Sequence, residues 1–294
     1  MREIRIERTV WYDAARQRTL PLCIYLPDCD TPTPLVLFSH GLGGSREGGR
    51  DWLEHWAKHG IGGIAIQHPG SDEAVLAGQP TMALRRALRE AMDSAQLTAR
   101  ARDLSFVMDR LAAGAIPQAD ATRLGIAGHS FGAVTVQALS GECLSTLGTQ
   151  LRDIRPKACI AFSPSARGDQ AALPERFAGI DRPFLSITGS RDDGIGLGDI
   201  DPGNRTLPFR HMPPPNKYLL VLDGAGHLDF AGHASDAETG FAHRRHPLRR
   251  NVSGIVRSLT TAFWHAHLGF GADPRGLLDP AALDAGDRYS EKHD

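Results

Sequence analysis

Three residue types far apart in the chain could together perform acyl transfer: a serine at 130, an aspartate at 192 or 193, and a histidine at 227. Ser130 stands in Gly128-His129-Ser130-Phe131-Gly132. A serine at the apex of a sharp strand-to-helix turn leaves no room for side chains two residues to either side, and glycine is the residue that clears the space. Its hydroxyl is a weak nucleophile until a base takes the proton, and imidazole is the usual base. His227 lies in the glycine-rich stretch Asp223-Gly224-Ala225-Gly226-His227-Leu228-Asp229-Phe230, a setting that no other of the 13 histidines shares. The third partner must be a carboxylate that accepts the remaining imidazole N–H, holds its tautomer and stabilises the imidazolium. Gly189-Ser190-Arg191-Asp192-Asp193 offers two, with Asp192 favoured by its place three residues beyond the glycine and Asp193 the alternative.

Acyl transfer also needs donors for the oxygen that becomes negative in the tetrahedral intermediate. The loop Ser39-His40-Gly41-Leu42-Gly43-Gly44-Ser45 leaves backbone N–H groups exposed by its glycines, and places Leu42 as the first donor. Phe131, directly after the serine, is the second. No metal or cofactor is required by this chemistry.

These residues must be positioned by a rigid frame. Arg123 to Ala127 reads as a buried strand entered from the polar stretch Gln118 to Thr122, and Ala133 to Ser140 reads as a helix stopped by Gly141. Leu35 to Phe38, Ile61 to Gln67, Lys157 to Phe162, Pro183 to Thr188 and Lys217 to Leu222 are further apolar runs. Helices are expected over Asp51 to His59, Thr98 to Ala113 and Asn251 to Gly269, the last closing the structure. Ile4 to Trp11 and Thr19 to Leu26 form an expected antiparallel hairpin. Alternating buried strands and helices imply an α/β fold with a mostly parallel central sheet, helices on both faces and that N-terminal hairpin. Ligands bind such sheets beyond the carboxyl ends of the strands, and every candidate above falls just after an apolar run.

At 294 residues the chain fits one large domain spanning 1–294, without a composition break. The formal net charge of −1 gives no general attraction to nucleic acid or anionic lipid. No 18 apolar residues run together, so no membrane span is expected. Charges in Met1 to Arg8 interrupt what a secretory signal would keep apolar, so a cytoplasmic location is the expectation. Cys23, Cys29, Cys143 and Cys159 are scattered and read as reduced, mostly buried thiols. His40 and His129 read as hydrogen-bonded packing residues, and His265 and His267 as a surface helix end. Asp192, Asp193, Asp199, Asp201 and Asn204 lack the calcium-loop pattern, and Arg244, Arg245, Arg249 and Arg250 near His243 and His246 read as a solvated basic patch. The segments 70–92, helical from Met82 to Met92, and 191–215, rich in glycine and proline, either wall or cap the site or are surface insertions.

The motifs at residues 38–43, 128–134 and 226–230 resemble the α/β-hydrolase superfamily, and within it bacterial dienelactone-hydrolase-like proteins and platelet-activating-factor acetylhydrolases. The resemblance implies a serine esterase with Ser130, Asp192 and His227 as its triad, acting on a small-molecule ester. Lipid acyl hydrolase, thioesterase and polyester depolymerase use the same triad, and a catalytically silent ligand-binding scaffold is the reading from another class. Two departures stand out: dienelactone hydrolases carry a nucleophilic cysteine where this chain has Ser130, and the acetylhydrolases carry their acid at the position of Ser163. Nothing in the sequence sets the oligomeric state.

Overall fold

A run such as Leu35-Val36-Leu37-Phe38 has no polar face to turn to water, so it must lie in a sheet covered on both sides. The computed structural model describes residues 2–75, 92–166, 169–194, 201–232 and 251–294, and in it these four side chains are buried. They belong to a sheet of β1 (Ile4–Asp13), β2 (Arg18–Pro27), β3 (Thr33–Ser39), β4 (Gly62–Ile66), β5 (Ala119–His129), β6 (Pro156–Phe162), β7 (Phe184–Arg191), β8 (Lys217–Gly226) and β9 (Arg288–Lys292). The spatial order is β1-β2-β4-β3-β5-β6-β7-β8-β9. Strands β3 to β8 are mutually parallel, whereas the hairpin β1–β2 and the terminal β9 join antiparallel.

The described helices are α1 (Arg50–Lys58), α2 (Ser94–Ala112), α3 (Phe131–Ser140), α4 (Leu173–Phe177), α5 (Leu207–His211) and α6 (Val252–His267). One face of the sheet packs against α1 and α6 through Trp52, Trp56, Leu259, Phe263 and Trp264. Trp56 Nε1 donates to Thr260 Oγ1 at 2.9 Å, so the polar edge of a large buried ring is satisfied inside this layer. The other face packs against α2, α3 and α4 through Leu104, Val107, Val136, Leu139 and Phe177. Two buried layers leave the rim of strand ends as the place for polar chemistry.

Each apolar run read from the sequence falls on a strand, but the ends differ: Ile61 and Gln67 flank β4, and Pro183 precedes β7. β5 begins at Ala119, because Ala119 and Asp120 already pair with Thr33 and Pro34 of β3, ahead of a bulge that brings Leu124 opposite Leu35. α6 does not close the structure: β9 follows it, a polar edge strand (Arg288-Tyr289-Ser290-Glu291-Lys292) held by its ladder to β8, which needs no apolar pattern of its own. His265 and His267 are half-buried rather than a free surface end. His265 Nε2 donates to the His59 carbonyl at 3.1 Å, and His267 Nε2 lies 3.1 Å from the Tyr218 hydroxyl. Of the four free cysteines, Cys23 and Cys159 are buried and Cys143 is exposed, so the expectation of mostly buried thiols holds for half of them. Among the described residues no helix is long and apolar enough to cross a membrane.

Candidate active site

Ser130 sits between β5 and α3 with φ 56° and ψ −113°, a backbone conformation costly for a residue with a Cβ. It is over-determined by its neighbours. The Ser130 N–H donates to the Phe162 carbonyl of β6 at 2.9 Å, while its own carbonyl accepts from Val134 N–H at 3.2 Å. The flanking glycines are required by contact. A Cβ at Gly128 would lie 2.4 Å from the Gly132 carbonyl oxygen, and one at Gly132 would lie 1.9 Å from the Ser39 carbonyl oxygen. The turn is therefore wedged against the end of β3.

His227 opens a short 3₁₀ turn, His227–Phe230, directly after β8. Gly226 N–H donates to Asp229 Oδ2 at 2.7 Å, and Trp52 Nε1 donates to the Phe230 carbonyl at 3.1 Å, so the turn is tied at both ends. His227 Nε2 lies 2.9 Å from Ser130 Oγ, and Nδ1 lies 2.7 Å from Asp192 Oδ1. An ionised carboxylate can only accept, so Nδ1 carries the proton and Nε2 is left to accept from the serine hydroxyl. His129 holds the same residue from behind, with its Nε2 donating to the His227 carbonyl at 2.9 Å. Burial, and next the charge of His227, push the His129 imidazole well below its ordinary value, so it stays neutral and packs as the sequence suggested.

Of the two aspartates, the structure brings Asp192 to the imidazole, fully buried just past β7, and leaves Asp193 exposed. Thr188 Oγ1 donates to Asp192 Oδ2 at 2.8 Å. Burial by itself would raise the Asp192 carboxyl, but the hydrogen bond and charge of His227, with the charge of Arg205, outweigh it and hold the group down at about 2.

Arg205 is a site residue that sequence reasoning missed. Its guanidinium is almost fully buried: Nε lies 3.2 Å from Asp192 Oδ1 and donates to the Asp192 carbonyl at 3.1 Å. Nη1 donates to the Ser163 carbonyl at 2.7 Å, and Nη2 stands 3.3 Å from His227 Nδ1. One side chain thus ties together the ends of β6, β7 and β8. It comes from a 3₁₀ turn, Pro202–Arg205, inside the segment 191–215. The only signal in the sequence was that so long a glycine-proline stretch has little reason to exist as a bare insertion.

Phe131 follows Ser130 directly, and Gly41, next to Leu42, lies close enough that an added Cβ would stand 3.4 Å from the Ser130 Cβ. Phe131 is the first residue of α3, where backbone N–H groups have no helical partner, and no described residue accepts the Leu42 N–H. The two residues meet in one apolar cluster with Leu97, Met92, Val134 and Leu144. Beneath the loop lies a buried polar set. His68 Nδ1 donates to Asp103 Oδ2 at 2.9 Å, and His68 Nε2 is 3.0 Å from Ser39 Oγ. His68 N–H donates to His40 Nε2 at 3.0 Å, which leaves His40 Nδ1 to donate to the Gly41 carbonyl at 2.5 Å. This second Ser-His-Asp arrangement resembles the first in its bonds, yet all three side chains are fully buried, so no substrate can reach Ser39. His68, just after β4 and before Pro69-Gly70, and Asp103, within α2, were not singled out by the sequence.

The expected helix Met82 to Met92, the residues Gly196, Gly198 and Asp199, and the basic group Arg244, Arg245, Arg249, Arg250, His243 and His246 lie outside the described residues, except Met92 at the end of the first. Among the described residues no group of three or more His, Cys, Asp or Glu side chains could hold a metal ion.

No protein-family model and no curated protein matches the sequence. Solved structures do match in fold. A ferulic acid esterase from Streptomyces cinnamoneus is 19% identical, with a TM-score of 0.68 over 98% of this chain and 96% of that one. A Klebsiella pneumoniae protein assigned as a dienelactone hydrolase is 19% identical, with a TM-score of 0.60 over 79% of this chain and 91% of its own. A cold-adapted esterase from an Arctic intertidal metagenomic library, also 19% identical, gives 0.53 over 76% and 86%. The chain therefore has the α/β-hydrolase fold, with the strand order and N-terminal hairpin described above.

Proposed function

We propose that the protein is a serine hydrolase that cleaves carboxylic esters through an acyl-enzyme on Ser130. The observation that carries this reading is the unbroken chain Ser130 Oγ, His227, Asp192, with contacts of 2.9 and 2.7 Å at the ends of three strands. In the proposed cycle His227 Nε2 takes the Ser130 proton as Oγ attacks the ester carbonyl. The Leu42 and Phe131 N–H groups receive the oxyanion, and His227 returns the proton to the departing alcohol. Water, activated by the same imidazole, then attacks the acyl-serine carbonyl; Ser130 leaves with the proton and the acid is released. Asp192 holds the imidazole in the tautomer that both halves need, and Arg205 holds Asp192 in place. The apolar cluster around Leu97 and Met92 beside the donors suits an apolar acyl or aryl group.

The fold likeness to two esterases agrees with an ester substrate, and the same site would serve thioesters, lipid acyl chains or polyesters with a different pocket. The test is covalent labelling with a fluorophosphonate, followed by turnover of p-nitrophenyl esters of graded acyl length and of matched thioesters. Wild-type protein should take up one label at Ser130 and hydrolyse the esters, and Ser130→Ala should do neither. A protein that binds ligands in thermal-shift assays, but takes no label and turns over no ester, would be a silent scaffold instead.

A further inference from the structure

Arg100 of α2 is fully buried beneath the candidate oxyanion loop. Its hydrogen bonds all go to uncharged oxygens: Nη1 donates to Ser71 Oγ at 2.9 Å, and Nη2 donates to Ser39 Oγ at 3.1 Å and to the His40 carbonyl. Its Cζ lies 4.6 Å from the centroid of the Phe131 ring. We propose that Arg100 is the positioning residue of the oxyanion site, clamping together the two backbone segments that supply the Leu42 and Phe131 donors. This role rests on the ester-hydrolase reading above.

The clamp works through peptide planarity. The His40 carbonyl and the Gly41 N–H belong to one rigid unit, and the Gly41 carbonyl and the Leu42 N–H, pointing opposite ways, belong to the next. Arg100 fixes the first unit at its oxygen. His40 Nδ1 fixes the second at the Gly41 oxygen, which also accepts from Gly44 N–H at 3.1 Å. With both carbonyls held, the Leu42 N–H has one direction left. On the other side, the guanidinium lies on the Phe131 ring, so the first turn of α3 cannot drift from the loop independently.

The cost of burying this cation argues that it is more than packing. A buried guanidinium without a carboxylate on its own nitrogens is expensive, and apolar residues of similar volume often replace buried ions without loss of stability. Two carboxylates, Asp103 and Asp72, act on it only through space; Asp103 is already occupied by His68, by Arg18 at 2.7 Å and by Arg16 at 2.8 Å, and Asp72 accepts from Gln67 Nε2. Burial lowers the Arg100 guanidinium to about 9, which keeps it charged at neutral pH. Its positive charge therefore stands behind the donors, in a medium of low dielectric, where an oxyanion would grow. Lysine could supply the charge but not the planar fork that reaches Ser71, Ser39 and His40 at once.

The experiment compares wild type, Arg100→Met and Arg100→Lys, with active sites counted by fluorophosphonate uptake, and adds the affinity of a trifluoromethyl ketone that mimics the tetrahedral intermediate. Loss of one oxyanion donor costs about 10²- to 10³-fold in kcat. Arg100→Met should lose about 10²-fold in kcat with KM within about twofold, and weaken the ketone in parallel with kcat/KM. Arg100→Lys should recover about a tenth of the wild-type rate. Should Arg100→Met not fold, the Arg100→Lys measurements stand alone, with the same split of kcat from KM expected. Variants whose titrated sites keep kcat and ketone affinity within about threefold of wild type, while Tm falls, would show a purely structural arginine and overturn the role. If wild type itself neither labels nor turns over esters, the parent reading fails first and is recognised separately.

Discussion

Gly132→Ala offers a sharp test of how the elbow is built, because two opposing effects of the same methyl group differ in sign. Gly132 is the second residue of α3, and within a helix alanine is favoured over glycine by up to about 1 kcal/mol. Against that, the added Cβ would start 1.9 Å from the Ser39 carbonyl oxygen and must retreat to at least 3.0 Å, so the helix start and the end of β3 have to separate by about 1 Å. Overpacking of this kind costs about 1–3 kcal/mol, and here it falls on backbone that has no flexible side chain to swing aside. The clash should win, with net destabilisation of about 1–2 kcal/mol in urea denaturation and an unchanged m-value. Activity should fall further than stability. The same displacement carries Phe131 N–H away from Leu42 N–H, and an error of about 1 Å in a reacting geometry can cost 10²-fold. The assay is kcat/KM per labelled site on a short-chain p-nitrophenyl ester. A Gly132→Ala protein as stable as wild type or more so, and as active, would show that β3 and α3 do not approach as described and that the elbow argument is unsound.

Three other outcomes are expected. Asp192→Asn should lower kcat by about 10⁴-fold through loss of the correct imidazole tautomer, while Asp193→Asn stays within about threefold; a reversed pattern would move the acid to Asp193. Because the Asp192 carboxyl is held at about 2 in the folded protein, below its ordinary 3.8, the stability it contributes is complete above pH 3.8 and is lost as pH falls toward 2. Wild type should lose about 2 kcal/mol more than Asp192→Asn between pH 5 and pH 2 in urea titrations, and parallel curves would contradict the assignment. His68 behaves in the opposite charge sense: burial first, and then Arg100, lower it from 6.5 to about 4, so the unfolded chain binds its proton earlier. Stability should be complete above pH 6.5 and decline toward pH 4, with about 3 kcal/mol of the slope removed in His68→Gln. A pH profile indifferent to that substitution would place His68 elsewhere than in the buried set.

Much of the site was legible in the linear chain because its elements are local. Glycines at 128 and 132 report a clash that involves only a turn, the following helix and a neighbouring strand, and the apolar runs report burial residue by residue. The order Ser130, Asp192, His227 and the rule that chemistry gathers beyond strand ends then placed the partners. Asp192 was preferred over Asp193 by its offset from Gly189, and in the structure Asp192 is the one that lies buried against the imidazole. The limits of that reasoning are just as specific. β9 is invisible because an edge strand held by a ladder needs no apolar face, and the half-burial of His265 and His267 comes from packing against Phe270, Tyr218 and the end of α1.

By itself the sequence determined the sheet, the elbow, and which serine, histidine and pair of aspartates could act together. Only the tertiary structure set Asp192 rather than Asp193 beside the imidazole, brought Arg205 onto Asp192 and His227, and seated Arg100 and His68 beneath the loop. The reason is physical. A turn's demand for glycine is written within a few residues, whereas a buried charge owes its place to oxygens contributed by distant segments: His40, Ser39 and Ser71 for Arg100, Ser163 and Asp192 for Arg205. Those partners come within reach only when the strands lie side by side.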